Sequence, residues 1–405
     1  MVERLLDEGI WREFYEYKVE KGHLSQEDQE EFKRVIRERE YVAVVEGILK
    51  GETFSVPRRI CISKMHSEKK RIVYSYEKAE NYVLKVLTYL LQRKYDYLFA
   101  KNLYSFRPSM GVKDAVYALT RAEGIGRKWA YKVDISNYFN SIPVDRMLEK
   151  LKAVLKEDED VYALIEALLC NPRVQDQGVI VEEEKGIMAG TPISTFLANV
   201  YLAHLDHYFA KEKKLYARYS DDIIVFDDSK EALLEDVKVI HSKLEAAGLC
   251  INPKKECYTG PGEMWTFLGI CYQDGVVDVA PVSVEKLKDK MRRKTRALMR
   301  WKARKGAGGV QAAKAFVRAF NRKLFENPKE HELTWVRWYF PLISTTESLK
   351  SIDEYSRKCI RYLATGTHTK ASYNFRYEQM KEIGYISLVN CYYKKDISQK
   401  KKKRY

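Results

Sequence analysis

Two adjacent acids stand between two apolar runs in Arg218-Tyr219-Ser220-Asp221-Asp222-Ile223-Ile224-Val225-Phe226. The flanking runs, 215–219 and 223–226, are rich in strand-forming residues, and so short a polar link between them reads as a β-hairpin with the carboxylates at its tip. Carboxylates side by side repel each other and lose hydration, so a fold presents them together mainly where a cation neutralises them. An Asp-Asp pair would equally suit a solvated turn, and a second acid elsewhere is what separates the two readings.

That acid is Asp134, in Lys132-Val133-Asp134-Ile135-Ser136-Asn137-Tyr138-Phe139. It ends an apolar run predicted as a strand over 129–135. If this strand neighbours the hairpin, carboxylates from distant parts of the sequence meet on one sheet. Such a set can hold two Mg²⁺ ions about 4 Å apart, which activate an attacking 3′-hydroxyl and stabilise a leaving pyrophosphate.

The 405 residues suffice for two or three subdomains. No apolar run reaches the ~18 residues of a membrane span, and nothing resembles a signal peptide. The seven cysteines are scattered and form no Cys-x-x-Cys, which predicts reduced thiols, no zinc site and a cytoplasmic protein without membrane contact. Charge is segregated. Residues 281–405 carry 31 Lys+Arg against 11 Asp+Glu, a net of +20, whereas residues 1–280 carry 41 against 46, a net of −5. One strongly cationic end on a mildly acidic body points to a polyanionic partner.

The periodicities predict an α+β chain. Residues 1–40 read as an appended helical layer. Short strands follow at 60–62 and 71–76, then a core-facing helix over 77–98. Helices are predicted near 143–156, 160–170, 193–212 and 229–247, with short strands near 256 and at 265–272. Beyond Pro281 the pattern is helical: 286–305, a glycine break at 305–309, then 310–325 and 345–363. Lys400 to Arg404 reads as a disordered tail.

The ordered motifs resemble those of reverse transcriptases, specifically the bacterial enzymes related to group II intron proteins, retrons and phage-defence enzymes. Ile62-Ser63-Lys64 through Lys70-Arg71-Ile72 resembles the fingers hairpin, which implies that Lys64 and Arg71 grip the incoming triphosphate. Asn102-Leu103-Tyr104-Ser105-Phe106-Arg107-Pro108 matches a motif of the bacterial members, although core packing of Tyr104 and Phe106 explains it equally well. The Asp134 segment resembles the first palm motif. There Phe139 stands where an aromatic ring would exclude a ribose 2′-hydroxyl. Gly186 to Asn199 resembles the motif supporting the template–nucleotide pair. In it Gly190 allows close backbone approach, and Ala189 replaces the usual Gln. Tyr219-Ser220-Asp221-Asp222 resembles the Tyr-Ala-Asp-Asp box.

The resemblance implies metal ligation by Asp134, Asp221 and Asp222 with Ile135. It makes Lys255, in Gly248-Leu249-Cys250-Ile251-Asn252-Pro253-Lys254-Lys255, the proton donor to pyrophosphate. Phe267-Leu268-Gly269 becomes the primer grip, and Arg292, Arg293 and Arg296 of a basic thumb helix track a phosphate backbone.

The architecture implied is a right hand: an N-terminal extension (1–40), fingers with the start of the palm (41–130), palm (131–280), and thumb with tail (281–405). The function implied is RNA-directed DNA synthesis with two Mg²⁺, or Mn²⁺ in their place. Its partners would be an RNA template, a DNA primer and dNTPs. No endonuclease, RNase H or integrase module is recognisable, so a dedicated non-coding RNA and a setting in antiphage defence are expected. Ala189 keeps a template-independent or protein-primed DNA polymerase open, and an RNA-binding maturase is the rival from another class.

Overall fold

The computed structural model describes residues 1–22, 24–63, 70–325 and 334–394; Lys64 and the basic tail at 400–404 lie outside them. In chain order the strands are β1 (Arg58–Ser63), β2 (Lys70–Ser75), β3 (Trp129–Asp134), β4 (Arg173–Asp176), β5 (Val179–Glu182), β6 (Leu215–Tyr219), β7 (Asp222–Asp227), β8 (Cys257–Thr259), β9 (Trp265–Phe267), β10 (Ile270–Gln273) and β11 (Val276–Val279). They form three sheets, ordered β2-β1-β4-β5, β6-β7-β3-β8 and β11-β10-β9. The chain divides into two compact units, one ending at Pro261 and the next beginning at Gly262. With antiparallel hairpins interleaved among helices, the class is α+β, as the periodicities predict.

The sheet β6-β7-β3-β8 organises the first unit. Side chains alternate across a strand, so its register sorts every residue to one of two faces. Val133 opposes Ile223, which opposes Arg218, while Asp134 opposes Asp222. The first set faces the helices Ser194–Lys211 and Lys230–Ala246: Arg218 bonds Asp206 of one, and the Tyr131 hydroxyl bonds His241 of the other at 2.8 Å. Asp134 and Asp222 therefore point from the opposite face, at its end, beyond the buried Ile224 and Phe226.

Arg218 is the exception within this apolar layer. Both it and Asp206 are fully buried, joined by two hydrogen bonds, Nε to Oδ1 at 2.8 Å and Nη2 to Oδ2 at 2.5 Å. The fork geometry satisfies both charges where water cannot reach. The Tyr216 hydroxyl adds a third donor to Asp206 at 3.1 Å.

Three expectations need amendment. Residues 1–40 are helical but not appended: Val2, Leu5, Trp11, Phe32 and Val35 belong to the same buried core as Val83 and Leu87 of the helix Lys78–Lys94. Trp11 stacks on Tyr41 with ring centroids 4.0 Å apart. Charge on the outer faces of these short helices disguises how much apolar surface they bury. The hairpin β4–β5 and the strand β11 were not foreseen, being only four residues each. β4 joins β1 through Arg58 opposite Gln175, so the sheet expected within 41–130 draws strands from inside 131–280. The second unit also begins before the compositional break at Pro281. Its meander β9-β10-β11 is bonded to the helical part, where Ser344 exchanges hydrogen bonds with both backbone groups of Val277.

Among the described residues all seven cysteines are free thiols, and no helix is long and apolar enough to cross a membrane. Replacing Asp206 by Asn strips the buried guanidinium of its counter-charge. It is expected to cost about 3–5 kcal/mol, read as a lowered urea midpoint of unfolding, and adding Arg218→Met to the same chain is expected to restore much of the loss. An unchanged midpoint in Asp206→Asn would contradict this role of the pair.

Candidate active site

Strands β6 and β7 are joined by two residues, Ser220 and Asp221, since Tyr219 already opposes Asp222. Ser220 has φ of +60°, and Asp221 is not among the positive-φ residues, the pattern of a type II′ hairpin turn. A side chain in this region is strained and persists only where the surroundings hold it. They do so from several directions. The Arg218 Nη1 donates to the Ser220 carbonyl at 3.2 Å, and the Ser220 amide donates to Ser105 Oγ at 2.9 Å. Ser105 in turn donates to Asn199 Oδ1 at 3.1 Å, and Asn199 returns a bond to the Ser105 carbonyl at 2.8 Å. The segment carrying Ser105 runs parallel to β6, with Arg218 bonded to Asn102 and Tyr104 through its amide and carbonyl, each at 3.0 Å.

This clamp fixes three carboxylates at one end of the sheet. Asp134 opposes Asp222, and the Ile135 amide donates to the Asp221 carbonyl at 3.1 Å. Burial raises the Asp221 pKa, and the Asp134 charge raises it further, while Lys255 and Arg71 oppose the shift. Asp222 is pushed up to about 6, by burial first and then by Asp221 and Asp134. The segment 250–255 lies along the end of β3, with Asn252 donating to the Asp134 carbonyl at 2.8 Å. It brings the Lys255 ammonium, itself exposed, into an ion pair with Asp134 Oδ2.

Among the described residues no three His, Cys, Asp or Glu side chains make a ready metal cage. The donor set nevertheless fits a hard cation: it is all carboxylate oxygen, and the like charges are raised in energy by one another. Mg²⁺ commonly takes one or two carboxylates and completes its shell with water and substrate phosphates.

Residues predicted to meet the nucleotide flank this end of the sheet. The glycine-rich segment is wedged between the short helix Tyr138–Ser141 and strand β2. Gly186 has φ of +51°, and a Cβ there would lie 2.6 Å from the Phe139 carbonyl oxygen; at Gly190, φ +99°, it would lie 2.9 Å from Val73 Cβ. Asn140 ties both sides together, accepting from the Ala189 amide at 2.9 Å and donating to the Ile72 carbonyl at 3.2 Å. The Ala189 carbonyl accepts from Tyr74 at 2.7 Å, so this residue serves through its backbone and is only 6% exposed. Phe139 is half-buried. Phe106, at a φ of +55° that is rare for an aromatic residue, stands between Phe139 and Tyr219, with ring centroids 6.4 and 6.2 Å away.

The remaining predicted residues belong to the second unit. Leu268 and Gly269 both have positive φ and join β9 to β10 in a type I′ turn. A Cβ at Gly269 would lie 2.9 Å from the Tyr339 hydroxyl, and Phe267 is buried beneath. The helix Pro281–Lys305 buries Val284, Leu287, Met291, Thr295 and Leu298 along one stripe. Arg292, Arg293 and Arg296 are exposed. Arg292 pairs with Asp289 at 2.9 Å. Crowding among cations is evident at Lys290, whose pKa is lowered by burial first and then by Lys323 and Arg293.

Residues 62–272, just over half of the chain, match the reverse transcriptase (RNA-dependent DNA polymerase) family. The chain belongs to that family. Its relatives include the Retron Ec86 reverse transcriptase of Escherichia coli, 21% identical over 171 residues, which are 41% of this chain and 49% of that protein. An uncharacterized 91 kDa protein in a cob intron of Schizosaccharomyces pombe is 28% identical over 173 residues, 41% of this chain and 20% of that protein. The chain thus spans between a fifth and a half of the length of these curated relatives. Apo telomerase from Candida tropicalis, truncated from its C-terminal domain, aligns with a TM-score of 0.45 at 14% identity, covering 56% of this chain and 55% of that one.

Within the reverse transcriptase domain the structure adds residues that sequence reasoning passed over. Arg218, Asp206, Ser105 and Asn199 support the carboxylate turn, while Phe106, weighed in the sequence as motif or core packing, lies beside Tyr219. One signal was available: an arginine inside an apolar strand run must find a buried partner. The Asp222 carboxyl has a pKa of 3.8 when unperturbed and about 6 in the folded chain. Its charge therefore destabilises the fold above pH about 6 and costs nothing below the unfolded value. In metal-free protein Asp222→Asn is expected to raise the Tm by a few °C at about pH 7.5, the gain fading as pH falls through about 6 toward 4. A gain independent of pH in thermal melts would show that charge crowding is not its source.

Proposed function

We propose that the protein is an RNA-directed DNA polymerase that extends a DNA 3′-hydroxyl with dNTPs along a partner RNA. The observation that carries this reading is the register of Asp134 against Asp222 with Asp221 in the adjoining turn. Two adjacent acids and a third from 87 residues upstream converge at one end of one sheet. Asp134, Asp221 and Asp222 would hold two Mg²⁺ or Mn²⁺ ions, with the Ile135 backbone beside them. When bound, such ions lower the pKa of the attacking hydroxyl and neutralise charge on the phosphates.

The protein's own groups supply the rest. Arg71 already acts electrostatically on Asp221, and with Lys64 it would hold the triphosphate as a fork beside a point charge. The Phe139 ring, backed by Phe106, would bar a 2′-hydroxyl. Lys255 would exchange Asp134 for the leaving pyrophosphate and give it a proton. In this reading β1 and β2 belong to the fingers, the central sheet to the palm and the basic helices of the second unit to the thumb. Phe267, Leu268 and Gly269 would meet the primer end, and Arg292, Arg293 and Arg296 the phosphate backbone.

A dedicated non-coding RNA as template and a role in cytoplasmic antiphage defence complete the proposal, supported by the similarity to a retron reverse transcriptase. A second reading, DNA synthesis without a template or primed on the protein itself, draws on Ala189, whose methyl cannot make the amide contacts of a Gln.

Asp221→Asn is expected to reduce cDNA synthesis on an RNA template by at least about 10³-fold, since one metal ligand is lost; synthesis at the wild-type rate would refute the proposal. Phe139→Ala is expected to admit ribonucleotides that the wild type rejects, measured as relative kcat/KM for rNTP and dNTP. Sequencing of the product separates the two readings, because homopolymeric or random DNA would exclude templated synthesis.

A further inference from the structure

On the side of the central sheet that bears helices, a concavity of about 510 Å³ opens between Val144–Val154, Ser194–Lys211 and Lys230–Ala246. Its walls are Arg146, Lys150 and Lys243, with Tyr201, His204 and one acid, Glu149. Arg146 and Lys150 are one helical turn apart on the same face. The Arg146 Nη1 donates to the Ala246 carbonyl at 2.6 Å, which anchors its guanidinium at the end of the third helix. Among the described residues neither Lys150 nor Lys243 reaches a carboxylate. Each lies over an aromatic ring instead, Lys150 at 5.5 Å from Tyr201 and Lys243 at 4.8 Å from Tyr208. His204 is exposed at the pocket's rim, and partial desolvation, with the charges of Lys150 and Lys243, lowers its pKa.

The setting makes this cluster notable. It lies in the part of the chain whose net charge is −5, so composition alone does not supply unopposed cations there. Neighbouring cations with no carboxylate on Lys150 or Lys243 raise one another's energy and are relieved by an anion. The cavity is the size of a nucleotide-binding pocket. It also opens from the face opposite Asp134 and Asp222, so a template–primer duplex lying on those carboxylates would not fill it.

We propose that this pocket binds backbone phosphate of a folded RNA outside the templating duplex, with Lys150, Lys243 and Arg146 holding the phosphates. The surface would hold a structured RNA partner while another part of it is copied. The inference rests on RNA being the partner of this chain and not on catalysis at the carboxylates.

The test uses the full chain with its catalytic face filled by a short oligo(rA)·oligo(dT) duplex. Binding of folded transfer RNA is then followed by fluorescence anisotropy over a range of salt. Lys150→Ala with Lys243→Ala is expected to weaken binding at least about tenfold and to reduce the salt slope by about two, one for each phosphate that is no longer neutralised. Extension of the oligo(dT) strand is expected to stay at the wild-type rate. Lys150→Arg with Lys243→Arg keeps the charges and is expected to bind like the wild type. The proposal is overturned if the Ala pair binds transfer RNA with unchanged affinity and slope, or if the Arg pair loses as much as the Ala pair. It is equally overturned if inorganic phosphate occupies the pocket, by the shift of the His204 ring resonances, without competing with transfer RNA. Failure of the wild-type chain to extend oligo(dT) while it binds transfer RNA, and the Ala pair does not, would instead count against the reading of the carboxylate face and leave the pocket's role standing.

Discussion

The buried pairing of Arg218 with Asp206 is the interaction on which the carboxylate turn depends. Three acids gathered at the end of two strands push the turn apart and disfavour their own ionised forms, as the raised Asp221 and Asp222 values express. A hairpin tip left to solvent would relieve this by moving. Here it cannot, because the guanidinium that grips Asp206 also grips the Ser220 carbonyl, and Ser105 holds the Ser220 amide from the other side. The strain of a left-handed serine and the repulsion of the acids are both borne by a network with no exposed members at its centre. Pre-organisation of this kind would place charge where the proposed cations bind before they arrive.

The same logic connects β2 to the acidic end of the central sheet. Asn140 spans the glycine-rich segment and β2 with one amide side chain, and two glycines admit backbone contacts that any Cβ would prevent. Phe139, Phe106 and Tyr219 then form a row of rings leading from the short helix to the acidic turn. Ala189 contributes a carbonyl and an amide to this frame, which any residue could supply. What the alanine removes is a side chain able to reach beyond it.

Much of this was legible in the sequence where the signal is local. The hairpin was readable because two runs of strand-forming residues, 215–219 and 223–226, flank a short polar link, and the helix Lys78–Lys94 because its apolar residues repeat at helical spacing. The break after Lys305 followed from Gly306, whose φ of +60° ends the helix. Long-range pairing left no such mark. Ser105 and Asn199 are 94 residues apart, and Asp206 reads as an ordinary polar residue of an amphipathic helix until Arg218 is seen to be buried beside it. The strands β4 and β5 were missed for another reason: an exposed edge hairpin needs no apolar alternation, and Gln177-Gly178 is a weaker turn signal than Asn-Gly. Asp274-Gly275, by contrast, was a strong hairpin signal that the basic run after Pro281 overshadowed.

The central claim is that Asp134, Asp221 and Asp222 form one divalent-metal site for nucleotidyl transfer. Its most direct test is electron paramagnetic resonance of Mn²⁺ bound to the full chain with an RNA template, a primer lacking its 3′-hydroxyl and a dNTP. The expected spectrum is that of two spin-coupled ions about 4 Å apart, lost when Asp134 is replaced by Asn. Two coupled ions persisting in Asp134→Asn, or no ions bound in the wild-type complex, would contradict it.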